Sequence, residues 1–300
     1  MASLSIVLPV YREPYLNNTL RSLLSAEDIE IFPVIDGCKT DPIIEDHRNK
    51  PIILEKNIGM RGAINEGIKR ATGEFLMKID AHCVIEEGYD KALQGEENWL
   101  MIPRRYSLNE QKWEIDYKQP VKDYHYLTFP KQTNYGYSFY VAALKKRNEV
   151  GIDDTMTFQG SCWCANRKYF MEHIGFLDDI NYGCFSQEQQ EIGLKYWLGG
   201  GAIKTTNKIG YAHLFKKAHH YESARFSHRH KKDEEAIRGN EYATKHWITN
   251  QESGMKYPFK WLISKFNPPD WPEDYEKFVN FRGPLKRLQQ GTPDLSEDSD

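Results

Sequence analysis

Short apolar runs alternate with amphipathic stretches through the first hundred residues, and that alternation restricts the chain to an α/β architecture. Leu4 to Val10 has the character of a strand buried on both faces. Ile29 to Ile35 reads as a second strand, Ile52 to Leu54 as a third, Glu74 to Ile79 as a fourth and Trp99 to Ile102 as a fifth. The first intervening helix carries Leu20, Leu23 and Leu24 on its apolar face and is expected to be capped by Asn17 or Asn18. Met60 to Ala71 is expected to be the second, with Ala63, Ile64, Ile68 and Ala71 on one side and a stop at Thr72-Gly73. Strands separated by helices imply parallel pairing through right-handed crossovers.

Ligands of such sheets sit beyond the carboxyl ends of the strands. The residues to read are therefore Tyr11-Arg12-Glu13, Asp36-Gly37, Asn57-Ile58-Gly59 and Asp80-Ala81-His82. A carboxylate and an imidazole two residues apart in an extended segment both reach one divalent ion. Taken alone, an Asp that caps a turn is the plainer reading of Asp80. His213 follows a short strand expected over Ala202 to Thr206, and Lys216, Lys217, His219 and Tyr221 come directly after it. Cations and hydrogen-bond donors in that number suit phosphate oxygens, or else a solvated loop. Glu188 and Glu191 open a helix expected over Gln187 to Leu198, where a carboxylate is favoured by the helix dipole whether or not it also meets a substrate. Asp36 is either a turn residue or a partner for a nucleobase or ribose.

Residues 103 to 160 read mostly as loops and edge strands. Helices are expected at Asn166 to His173 and Asp233 to Ile248, and the last 15 residues as a disordered acidic tail. With 300 residues, 40% of them hydrophobic, and a net charge of −3, the chain fills a sizeable core and has no obligatory polyanionic partner. No apolar stretch approaches the about 20 residues that span a bilayer. Pro9 and Arg12 come too early for a signal peptide, and five unladdered cysteines suit reduced thiols, so a cytoplasmic protein is expected.

Three spaced motifs carry a family resemblance. Ser5-Ile6-Val7-Leu8-Pro9-Val10-Tyr11 resembles the opening strand of family-2 glycosyltransferases, and Asn57-x-Gly59 with the helix into Thr72-Gly73-Glu74 resembles the segment before their metal motif. The middle of the chain is similar to polypeptide N-acetylgalactosaminyltransferases. Asp80-Ala81-His82-Cys83 resembles their D-x-H-C motif, Gln187-Glu188-Gln189-Gln190-Glu191-Ile192 their G-G-E-N-x-E-I helix, and His213-Leu214-Phe215-Lys216-Lys217 their H-V-F-R-K segment. The resemblance implies a GT-A, Rossmann-like fold with a mixed, mainly parallel central sheet. It implies an Mn2+ (or Mg2+) ion held by Asp80, His82 and His213, and a UDP-sugar as donor. It places Pro9, Tyr11, Glu13, Asp36, Asn57 and Arg61 near the nucleotide and Lys217, His219 and Tyr221 near the diphosphate. Glu188, with Asp80, would carry the catalytic role, as a base or as a contact to the donor sugar. Phe185-Ser186-Gln187-Glu188-Gln189 departs from the family's Trp-Gly-Gly-Glu-Asn, which leaves the sugar open. The implied organisation is a catalytic domain over 1–225, a helical extension packed on it over 226–285, and the tail over 286–300.

The acceptor is less constrained. Arg104-Arg105, Lys216-Lys217 and His228-Arg229-His230-Lys231-Lys232 form an expected basic groove for DNA, with a hydroxymethylated pyrimidine, as found in bacteriophage DNA, turned toward the metal. A surface glycan or a lipid-linked acceptor is the alternative. A sugar-nucleotide pyrophosphorylase and a non-catalytic sugar-nucleotide binding module are the remote ones.

Overall fold

The apolar runs pair as one large sheet. The structure, a computed structural model, describes residues 2–121, 124–127, 129, 137–139, 150–184, 187–215, 227–269 and 271–278. Strands β1 (Leu4–Val10), β2 (Ile29–Asp36), β3 (Ile52–Leu54) and β4 (Phe75–Ile79) lie parallel in the order β3-β2-β1-β4. Helices α1 (Leu16–Leu23) and α2 (Gly59–Arg70) lie between β1 and β2 and between β3 and β4 in the chain. The strand order reverses between β1 and β4, which is where an α/β sheet opens its crevice.

Beyond β4 the sheet turns mixed. After β5 (Cys83–Ile85) and α3 (Tyr89–Ala92) come β6 (Trp99–Asn109) and β7 (Glu114–Asp116). β8 (His125–Leu127) and β9 (Tyr137–Phe139) form a separate pair, followed by β10 (Ile152–Asp154), β11 (Cys162–Asn166) and α4 (Arg167–His173). α5 (Glu188–Gly199), β12 (Ala202–His213), α6 (Ser227–Ile248), α7 (Phe259–Phe266) and a 3-10 turn at Tyr275–Phe278 complete the order. β11 inserts antiparallel between β4 and β6, and β12 runs parallel to β6 on the far side. The ten-stranded sheet is α/β and mixed.

Successive residues of each central strand feed opposite cores. Val7 and Leu76 join the layer under α2, α4 and α5, while Ile6, Leu8, Met77 and Ile79 join the layer under α1 and α3. Ala243 and Trp247 of α6 and Phe259 and Leu262 of α7 are buried in the first layer. All five cysteines are free thiols. Among the described residues no helix is long and apolar enough to cross a membrane.

Several boundaries differ from the sequence reading. Neither Asn17 nor Asn18 caps α1, which begins at Leu16 behind Tyr15 without a side-chain cap. Asn17 instead pins the following loop, donating to Pro42 O at 2.9 Å and accepting from Ile44 N at 3.1 Å. β6 continues past Ile102 to Asn109, and β12 is one strand to His213, with a register shift between Thr206 and Gly210. Polar residues end an apolar run without ending the strand, because pairing with a neighbour supplies the backbone bonds.

Candidate metal centre

Three strands deliver the cluster. Asp80 follows β4 directly, and its N–H donates to Ser161 O at 2.8 Å, which fixes the turn against β11. His82 precedes β5, and β5 pairs antiparallel with β12 so that Cys83 faces His213. Leu214 N closes the corner on His82 O at 3.1 Å. The ligand atoms of Asp80, His82 and His213 lie within 4.8 Å of one another. His82 Nε2 stands 3.0 Å from His213 Nε2, and His213 Nε2 stands 3.3 Å from Asp80 Oδ2. An ion about 2.1 Å from each ligand sets neighbouring ligands about 3 Å apart in octahedral geometry. Two imidazoles and a carboxylate are a mixed nitrogen and oxygen donor set that a first-row divalent ion such as Mn2+ can take.

The electrostatics agree with that use. Burial works to raise the Asp80 carboxyl, but the Lys78 ammonium and the two imidazoles outweigh it and hold the group well below the usual carboxylate range. Burial pulls the His213 imidazole down to about 4, so it is neutral and free to ligate near neutral pH. Glu13, buried behind the cluster, accepts from His82 Nδ1 at 2.9 Å. A carboxylate behind an imidazole fixes its tautomer and aims its other nitrogen at a metal.

A second group lies against the first. Lys78 is buried within β4 and donates to Asp80 Oδ1 at 2.6 Å, to Gly160 O at 2.6 Å and to Glu188 Oε2 at 3.3 Å. Trp163 Nε1 donates to the other oxygen of Glu188 at 2.9 Å. Burial pushes the Glu188 carboxyl up against the opposing pull of Lys78 and Trp163. Gln187, before it, holds a left-handed φ of 61°, a strained conformation for a residue with a side chain. Its amide donates to Asn240 of α6, and Glu235 of α6 accepts from Cys184 N at 3.2 Å. Helix α6 thus buttresses the turn that presents Glu188.

The other expected site residues fall in two places. Asp36 is 2% exposed and accepts from Asn57 Nδ2 at 2.6 Å, Ile58 N at 2.7 Å and Gly59 N at 3.0 Å. It thereby ties the Asn57 loop and the start of α2 to the carboxyl end of β2, which pairs with β1 up to Val10. Gly59, at φ +86°, admits Cys184 so closely that a Cβ would sit 2.3 Å from the cysteine Cβ. Arg61, expected near the nucleotide, is wholly buried; it pairs with Glu191 and lies 4.5 Å from the Tyr182 ring, tying α2 to α5. Arg104 and Arg105, expected to line a basic groove, are 8% and 2% exposed, and Arg105 lies over Phe215. They belong to the interior of β6, because an arginine on a central strand is covered by its neighbours. Lys217, His219 and Tyr221, the side chains of His228 to Lys232, and the tail over 286–300 lie outside the described residues. Lys78 and Trp163 went unread in the sequence. The available signal was a lysine inside the apolar strand Phe75–Ile79, a position that only a paired cation occupies.

Comparison with known proteins agrees with this frame. Residues 5–173 match the model of glycosyl transferase family 2. Polypeptide N-acetylgalactosaminyltransferase 5 of Caenorhabditis elegans is 24% identical over 182 residues, covering 57% of this chain and 28% of the relative. Poly-beta-1,6-N-acetyl-D-glucosamine synthase of Staphylococcus epidermidis is 40% identical over 93 residues, covering 28% of this chain and 23% of the relative. The chain thus spans under a third of either relative's length. Among solved structures, GalNAc-T7 with UDP, GalNAc and Mn2+ superposes at a TM-score of 0.61 with 14% identity, over 89% of this chain and 57% of that one. S. aureus TarS with UDP superposes at 0.56 with 15% identity, over 96% and 77%. These likenesses are of fold.

Proposed function

Since the chain belongs to glycosyl transferase family 2, we propose that it moves a sugar from a nucleotide-sugar, a UDP-sugar, to an acceptor hydroxyl with the help of a divalent ion. The observation that carries this is the convergence of Asp80, His82 and His213 beside the strand-order reversal between β1 and β4. Asp80, His82 and His213 would hold Mn2+, which when bound supplies the positive charge that a diphosphate leaving group needs. UDP and Mn2+ occur together in the GalNAc-T7 structure, which shares the fold.

The chain's own residues would do the rest. Glu13 aims His82. Asp36 and Asn57 hold the loop that, with Pro9 and Tyr11, would form one wall of the nucleotide crevice. We assign Lys217, His219 and Tyr221, which follow Phe215 in the chain, to the diphosphate. Glu188, aimed by Trp163 and Lys78, faces the sugar side as base or as sugar contact. We take 1–225 as the catalytic domain and 226–285 as its helical extension; burial of Trp247 and Phe259 in the shared core supports the packing of the one on the other.

The acceptor is tested together with the donor. Release of free nucleotide from a panel of UDP-sugars is measured with Mn2+ or EDTA, and with glycan, peptide, lipid-linked and hydroxymethylpyrimidine-DNA acceptors. Mn2+-dependent release that one acceptor class stimulates is the expected outcome. Release equal in EDTA and Mn2+ rejects the metal reading.

A further inference from the structure

Lys78 is a buried charge that this reading uses only to aim Glu188, although it also contacts Asp80. It sits on β4 in register with Val7 of β1 and Trp163 of β11, at the centre of the sheet rather than its rim. Its side chain is 2% exposed. An ammonium has three N–H donors, and Asp80 Oδ1, Gly160 O and Glu188 Oε2 account for all three. Two carboxylate oxygens and a carbonyl oxygen around one nitrogen are the surroundings of an ammonium, which offers a donor to each. With its donors engaged, the nitrogen has no lone pair to offer a substrate.

We propose that Lys78 is a positioning residue that holds Asp80 to single-oxygen metal binding and locks Glu188 to the same point, and that it does so against the metal's own affinity. This rests on the metal reading above. Asp80 Oδ1 faces the ammonium at 2.6 Å, whereas Oδ2 faces His213 at 3.3 Å. An ion among the three ligands therefore meets Oδ2, and two-oxygen ligation requires the ammonium to be displaced. The same nitrogen contacts Glu188 Oε2, and Trp163 restrains the remaining oxygen. Position 160 fits this arrangement as glycine, since a Cβ there would lie 3.0 Å from Glu188 Oε2. The distance between the metal's carboxylate and the sugar-side carboxylate is thereby set through one buried atom. A cation placed beside a divalent ion repels it in a site that water screens poorly. Lys78 accordingly weakens the ion's hold while it fixes the geometry.

Opposite signs in binding and turnover separate this role from a merely structural one. Mn2+ is titrated into the full chain and the free ion is followed by its EPR signal, for the wild type, Lys78→Met, Lys78→Arg and the double variant Lys78→Met/Glu188→Gln; kcat is measured at saturating Mn2+. Lys78→Met is expected to bind Mn2+ about tenfold tighter, from the loss of charge repulsion. Its kcat is expected to fall on the order of 100-fold, as a displacement of about 1 Å would produce. Lys78→Arg, which keeps the charge, is expected to bind Mn2+ as the wild type does. The double variant removes the ammonium together with its Glu188 partner; if Lys78→Met does not fold, it carries the binding test and is expected to bind tighter by a smaller factor, because the lost Glu188 charge offsets part of the lost repulsion. A folded Lys78→Met, or the double variant standing in for it, with unchanged or weaker Mn2+ binding overturns the inference, as does a Lys78→Arg that binds as tightly as Lys78→Met. Mn2+ binding that survives His213→Ala in a chain that keeps Lys78 overturns the metal reading instead.

Discussion

Two buried polar clusters lie at opposite ends of β1, β2 and β4, and they are completed differently. At the amino ends, Glu30 Oε1 accepts from Ser5 Oγ at 2.6 Å, Thr72 Oγ1 at 2.8 Å and Thr72 N at 2.8 Å. Its Oε2 accepts from Lys50 at 2.8 Å, and Ser5 Oγ in turn accepts from Gly73 N at 2.8 Å. That cluster closes on the chain itself. At the carboxyl ends, two imidazole nitrogens and a carboxylate oxygen face one another across 3.0 and 3.3 Å, an arrangement that a cation completes. A cluster satisfied internally contributes stability, whereas one that calls for a foreign charge marks a working site.

Breaking the open cluster is expected to have the largest effect. His82→Ala or His213→Ala should lower turnover by about a thousandfold or more, since a metal that neutralises the leaving group is lost. The melting temperature should stay within a few degrees, because neither ring is needed to close the core. Steady-state kinetics and a thermal melt on the same preparation check both halves. Metal-dependent activity at the wild-type level in both variants would sink the ligand set.

This contrast explains how much of the molecule was legible in its sequence. β1 to β4 follow from apolar periodicity because a strand buried on both faces leaves no choice of residue. Asp80 and His82 were readable because the strand-end rule says where to look, and the resemblance supplied His213. Asp36, Arg61, Arg104 and Arg105 were harder, since a buried charge and an exposed one are the same letter until its partner is known. Arg61 finds Glu191 130 residues away, and Asp36 finds Asn57 21 residues away. Lys78 needed the same long-range information, and only its apolar neighbours hinted at it.

Glu13 sharpens the comparison, for it stands behind the open cluster as Lys50 stands behind the closed one. Glu13→Gln keeps the shape but loses the charge that aims His82. Loss of such a partner weakens metal binding by about 10- to 100-fold. Mn2+ titration should show that loss, and saturating Mn2+ should restore most of kcat. A kcat that stays low at saturation would assign Glu13 a direct contact with the substrate rather than an orienting one.

The smallest expected effect belongs to the closed cluster and has the opposite character. Glu30→Gln should destabilise the fold by about 1–2 kcal/mol, the scale for weakening charge-assisted hydrogen bonds. Turnover per folded molecule should not change, because Glu30 lies at the far end of the strands from Asp80. The pH dependence gives a sharper signature. Burial works to raise the Glu30 carboxyl, but hydrogen bonds from Lys50, Ser5 and Thr72 prevail and lower it to about 2. A carboxyl with a depressed folded-state value stabilises fully above its unfolded value of about 4.3. That contribution drains away as the pH falls from there through about 2. Urea melts at intervals from pH 6 to pH 3 should therefore show the gap between the wild type and Glu30→Gln narrowing as the solution is acidified, since only the wild type has that proton to take up. A gap that stays constant over the range would mean that Glu30 acts through packing, and the contrast between the two ends of the sheet would then be one of shape rather than charge.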